Sequence, residues 1–168
     1  MNTLRHVWPK NRGHSKKFES MTATGHSIIG TVIAAKIGNP AIAVPIAIAS
    51  HVIADMIPHW DPGTHRREKN KIRLFIDSMI DVVVSLAAAY FLTYYLFPST
   101  NLSYVFFIVI CSQLLDWLMA PYYFFGVEFP FKYVYKFQKL FDNKLDKPWG
   151  IITQAIFVAL VILVGMLV

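Results

Sequence analysis

Long apolar runs alternate along the chain with short polar segments, and the spacing of the breaks predicts helices throughout. From Thr22 the sequence reads TATGHSIIGTVIAAKIG, then Asn39-Pro40, then AIAVPIAIASHVIADMIP. Gly38 suits a helix C-terminus, Asn39 an N-cap and Pro40 the first turn of the next helix, which divides the stretch into two antiparallel helices over 23–37 and 40–57. At 1.5 Å per residue these are about 22 and 27 Å long, so the first falls short of the hydrocarbon layer and a hairpin held inside a bundle is expected. Gly30 and Ala34, like Ala43 and Ala47, lie four apart and let helix backbones approach closely.

After a charged loop, PHWDPGTHRREKNK, the pattern predicts a helix over 72–97, a turn at 98–101, an apolar helix over 102–125 and a last span over 150–168. In the segment 130–146, Lys132, Lys136 and Lys139 share one helical face while Val134, Phe137 and Phe141 share the other. This reads as an amphipathic helix on the membrane surface, with packing onto the bundle as the alternative. The expected architecture is all-α: a polytopic transmembrane bundle of five membrane helices plus one interfacial helix. It forms a single domain over 21–168 behind a basic tail, 1–20, with Met1 and Met21 both start candidates. The apolar stretch after the tail runs on into further spans without a small-residue cleavage site, so a cleaved signal is not expected.

Composition supports the membrane reading. Of the 168 residues 55% are hydrophobic and 15% charged, against about 25% charged in average soluble domains. Disorder is excluded by the 13 Phe, 8 Tyr and 4 Trp, and a disulfide scaffold by the single cysteine, Cys111, which is expected as a buried small residue. The net charge of +6 suggests nucleic acid or an anionic lipid surface, and the positions of the charges decide between them. Fifteen of the 16 Lys and Arg residues fall in the tail, in 66–73 and in 132–147, and only Lys36 lies elsewhere. Five crossings of a prokaryotic cytoplasmic membrane would put these three segments and the N-terminus in the cytoplasm and the C-terminus outside. The basic charge then reports topology, with membrane lipid and not nucleic acid as the partner. Tyr94, Tyr95 and Tyr104 would mark the outer interface and Trp60, Tyr122, Tyr123 and Trp149 the inner one.

Ionisable groups inside apolar spans are costly, about 2.5–3.5 kcal/mol for an Asp at a helix centre, so each needs a reason. Asp55, Asp77, Asp81 and Asp116 are so placed, together with His26 and His51. His51 and Asp55 are four apart, as are Asp77 and Asp81, which puts each pair on one helix face. All six fall within about 14 Å of the cytoplasmic boundary at 1.5 Å per residue. Imidazole nitrogens and carboxylate oxygens without thiolates suit a catalytic divalent metal, with zinc the first choice and manganese or magnesium as alternatives. Two metals would fit, a carboxylate bridging them. In the loop, His59, Asp61 and His65 are outer ligands or solvated residues. Individually, His26 reads equally as an interfacial residue, His51 as a hydrogen-bonded core histidine and Asp77 as a helix-start acid. Asp81 and Asp116 have no such excuse and are the candidate catalytic acids. A proton- or ion-binding carboxylate cluster and a structural polar network stay open as alternatives.

The segment from Thr24 to Asp61, with TGHSIIG opening one helix and HVIADMIPHWD closing the next, resembles the membrane-bound metal-dependent hydrolases of bacteria and archaea. The resemblance covers roughly the first third of the chain, with short motifs. It implies a hydrolase in which His26, Asp55, His59 and Asp61 match the family's early His and the acidic turn after the second helix. The family's HRG-x-THS segment is absent; His65-Arg66-Arg67 stands in the corresponding region, and a divergent member would use Asp77, Asp81 and Asp116 instead. No G-x-S-x-G elbow, H-E-x-x-H helix, Walker loop or dinucleotide fingerprint is present, which disfavours serine and zincin-type peptidases. A site opening beside a basic interfacial helix suits a phosphorylated lipid or other anionic amphiphile as substrate. A small transporter or ion-binding membrane protein, and a noncatalytic membrane scaffold, are the other classes compatible with the pattern.

Overall fold

The structure, a computed structural model, describes residues 22–60, 70–143 and 145–168. Among these residues the regular structure is seven helices with no strand: α1 (Ala23–Lys36), α2 (Pro40–Met56), α3 (Lys71–Leu96), α4 (Leu102–Ser112), α5 (Leu114–Phe125), α6 (Phe131–Gln138) and α7 (Trp149–Leu167). The basic tail and the loop residues Asp61 and His65 lie outside the described residues.

Side-chain caps start the first four helices where the polar breaks fall. The Thr22 hydroxyl accepts from the Gly25 N–H of α1. Asn39, Asn70 and Asn101 accept from the first-turn N–H groups of Ala41, Ile72 and Tyr104, each satisfying a donor that the helix cannot. At the far end of the hairpin the Tyr104 hydroxyl donates to the Ile37 carbonyl at 2.6 Å, tying the end of α1 to the start of α4.

α1 is the central helix, packed against α2, α3, α4 and α7. Residues 23 and 27 meet 81 and 85, so α3 runs parallel to α1. α7 does the same, since Thr22 meets Gln154 and Val32 meets Gly165. α2 and α4 return antiparallel. The small residues anticipated from their spacing make this closeness possible: Ala34, Ala43 and Ala47 are buried with Ala89, Val105, Ile108 and Val109 in one apolar cluster. At Gly30 a Cβ would stand 2.7 Å from the Ser112 hydroxyl and 3.2 Å from the Val109 Cα, so α1 and α4 meet there only because the residue is glycine.

α3 and α7 are long and apolar enough to cross a membrane, and α4 with α5 would make a third span if the bent pair counts as one. That is fewer than the five expected from the pattern. α1 and α2, of 14 and 17 residues, are too short for that criterion. The apolar side chains of the two long helices face outward, among them Ile80, Val83 and Phe91 on α3 and Ile156, Leu160 and Leu163 on α7.

Two elements depart from the sequence pattern. The helix expected over 102–125 breaks at Gln113 and bends by 50°. The break releases the Ser112 carbonyl from the helical ladder to a histidine ring and turns the Gln113 amide toward the Ala23 carbonyl and the Ser85 hydroxyl. The amphipathic helix ends at Gln138 instead of running on to 146. Beyond it the chain pairs with the segment after α2: His59 donates its N–H to the Asn143 carbonyl and accepts from the Leu145 N–H, while the Asn143 N–H donates to the Asp55 carbonyl.

Candidate metal centre

Antiparallel packing brings the start of α1, the end of α2 and the α4–α5 break to one end of the bundle, and polar side chains converge there. His26 projects from the first turns of α1, His51 and Asp55 from one face of α2 at i,i+4, and Asp116 from the first turn of α5. One Asp55 oxygen lies 3.3 Å from His26 Nε2 and the other 3.4 Å from His51 Nε2. The two imidazoles stack with centroids 3.9 Å apart at 13°, and His51 Nε2 is 3.7 Å from the Asp116 Oδ1. One ligand atom from each of His26, His51 and Asp116 falls within 4.8 Å of the other two, close enough to hold one metal ion.

Hydrogen bonding fixes how His51 is presented. Its Nδ1 is 2.7 Å from the Ser112 carbonyl, which can only accept, so Nδ1 carries a hydrogen. Ser112 is held in turn, its hydroxyl donating to the His26 carbonyl at 3.0 Å. A backbone carbonyl on one ring nitrogen with the other directed at carboxylates is the arrangement that orients metal-ligating histidines. The Gln138 amide nitrogen of α6 donates to Asp116 Oδ1 and lies beside His51 Nε2, each at 3.0 Å, which ties α6 to both groups. His26 has both ring nitrogens buried and without a hydrogen bond, at 1% exposure. Buried imidazoles are nearly always satisfied, and an electron-pair acceptor at this point would satisfy this one. The donor set could therefore hold a metal ion.

Protein-family models, curated proteins and solved structures offer no match to this chain.

Beside this group lies a second histidine–carboxylate pair. His59 is 1% exposed, its Nδ1 donates to the Ile57 carbonyl at 2.7 Å, and its Nε2 faces Asp142 Oδ1 at 3.7 Å. Burial holds the His59 imidazole below its ordinary 6.5, although the charges of Asp55 and Asp116 pull it the other way. Burial also pushes the Asp142 carboxyl up to about 8; the neighbouring charge of Asp55 adds to this, Lys139 opposes it, and Asp116 adds a little more.

Of the residues singled out from the sequence, His26, His51, Asp55 and Asp116 come together, with His59 alongside. Asp81 is engaged elsewhere: its Oδ2 accepts from the Ala23 N–H at 2.7 Å, and its Oδ1 from the Thr24 hydroxyl at 2.7 Å and the Thr24 N–H at 3.3 Å. It thus satisfies the open N-terminus of α1, where a negative charge also opposes the helix dipole. Asp77, half-buried one turn earlier on α3, is outside the group that could hold a metal, and Asp61 lies outside the described residues. Cys111, expected to be buried, is half-buried against the apolar cluster. Sequence reasoning missed Ser112, Gln138 and Asp142. Gln138 carried a signal, being a polar residue on the Val134, Phe137, Phe141 face, and Asp142 follows it by one helical turn.

Proposed function

We propose that this is an integral membrane protein that hydrolyses an anionic amphiphile, with phosphorylated lipids the leading class, using a divalent cation held by His26, His51 and Asp116 at the cytoplasmic end of its bundle. The observation that carries this reading is the convergence of three ligand atoms within 4.8 Å around a buried His26 ring that makes no hydrogen bond. That ring faces Asp55 Oδ1, 3.3 Å from Nε2, and a cation would supply what the hydrogen bonding does not. Zinc is the first choice for nitrogen and oxygen donors, with manganese or magnesium as alternatives. Such a cation acidifies water and polarises an ester oxygen. His51 is oriented for its part by the Ser112 carbonyl, and Asp55 fixes the two imidazoles relative to each other. Asp116 has a side chain 24% exposed where His26, His51 and Asp55 are at 1–2%, so it is the member open to substrate. The resemblance of residues 24–61 to membrane-bound metal-dependent hydrolases supports the same reaction class.

The membrane reading counts five embedded helices, with α1 and α2 as a buried hairpin among α3, the bent α4–α5 pair and α7. The cationic segments then share the inner face, N-terminus included, and Lys132, Lys136 and Lys139 of the α6 region attract anionic headgroups. The core beyond the site is mainly alanine and branched aliphatic side chains, and its buried Thr31 and Thr93 hydroxyls donate to carbonyls of their own helices, which supports an enzyme open to one face over a carrier with a path to both.

Detergent-purified protein should retain at least one equivalent of metal by elemental analysis, and His26→Gln and Asp116→Asn should lower it. Metal-loaded proteoliposomes should hydrolyse phosphatidic acid or an isoprenoid phosphate, reversibly lost on chelation. Protein that takes up no metal at any concentration, or is inactive on all phosphoesters while showing cation-dependent proton flux, overturns this function.

A further inference from the structure

We propose that His59 and Asp142 hold a second divalent cation beside the His26–His51–Asp116 position, with Asp55 as the carboxylate shared between the two. This rests on the metal-centre reading and extends it to a binuclear site. His59 repeats the geometry of His51: a backbone carbonyl takes its Nδ1–H, at 2.7 Å in both cases, and Nε2 is turned toward a carboxylate oxygen 3.7 Å away. That separation is too long for a hydrogen bond and leaves room for an ion between the two donors. His59 Nε2 is buried and makes no hydrogen bond, so it points to a ligand independently of the acidic groups around it.

The backbone explains why Asp142 is there at all. α6 stops at Gln138, and the following residues pair with the segment after α2 through Asn143 to Asp55 and through His59 to both Asn143 and Leu145. These bonds fix residues 142 and 59 on one side of Asp55. Asp55 bridges the two imidazoles of the first position, and its backbone carbonyl accepts from the N–H of Asn143, the residue after Asp142, which sets the second pair beside it. Two adjacent cations sharing a carboxylate can clamp the attacking and departing oxygens of a phosphoester, a task one ion does less well.

The test uses the full chain in detergent, stripped with chelator and titrated with manganese(II), followed by elemental analysis and electron paramagnetic resonance. The wild type should bind two ions per chain and give an exchange-coupled spectrum at full loading. Asp142→Asn and His59→Gln should each lose one equivalent and give the six-line spectrum of an isolated ion. Saturation of the wild type at one ion per chain overturns the second position while leaving the first intact, and so does a variant that still binds two. Uptake of none overturns both. Wild-type stoichiometry and spectrum decide the matter even where a variant fails to fold.

Discussion

A buried acid is a stability cost that depends on pH, and Asp142 lets that be measured. Its carboxyl, pushed up to about 8 by burial and then by Asp55, keeps its proton in the folded chain where the unfolded chain has released it near the ordinary 3.8. The folded state therefore binds more protons between those values, and stability falls as pH rises through that window. His59 acts with the opposite sign, since its lowered pKa means that stability falls as pH drops below 6.5. The difference between Asp142→Asn and wild type isolates the first effect. In chelator-treated protein the variant's Tm should gain on wild type steadily from pH 5 to pH 8, and a gap that does not change with pH would rule out this account of Asp142.

Between elements, the decisive contact is α1 on α4. Gly30 allows the Ser112 hydroxyl to reach the His26 carbonyl, and the Ser112 carbonyl in turn orients His51. A larger side chain at residue 30 must push the helices apart, at about 1–3 kcal/mol for overpacking. Gly30→Val should accordingly lower thermal stability and also weaken metal uptake by one or more orders of magnitude, although no ligand is changed. Elemental analysis alongside a melting curve checks both; unaltered metal binding in a destabilised variant would uncouple the interface from the site.

Over the whole molecule, the proposed topology rests on the alternation of cationic and uncharged segments. α1, α3 and α7 run one way and α2 and α4 the other, so the 98–101 turn and the C-terminus share one end and Asn143 and Leu145 lie at the opposite one. Alkaline phosphatase fused at Ser99 or Val168 should be active in cells, and fused at Asn143 inactive. Activity at Asn143 would invert the orientation and with it the leaflet assigned to the site.

The sequence by itself determined the helices and most of their ends, because the caps are local: Asn39, Asn70 and Asn101 each satisfy N–H groups only two or three residues away. It also marked His26, His51, Asp55 and Asp116, since ionisable side chains in apolar runs stand out whatever the fold. It was silent on the break at Gln113, where the residues stay apolar on both sides and the bend arises from bonds to α1, α2 and α3. Asp81 and Asp116 look alike as lone acids in apolar helices. Only tertiary structure separates them, giving one to the first turn of α1 and the other to the histidines. Nothing local marks Asp142 within its lysine-rich stretch, and only the pairing of its neighbours with His59 and Asp55 buries it. Local hydrogen bonds and periodicity are written in neighbouring residues, whereas the partner of a buried charge is chosen by which helices pack together.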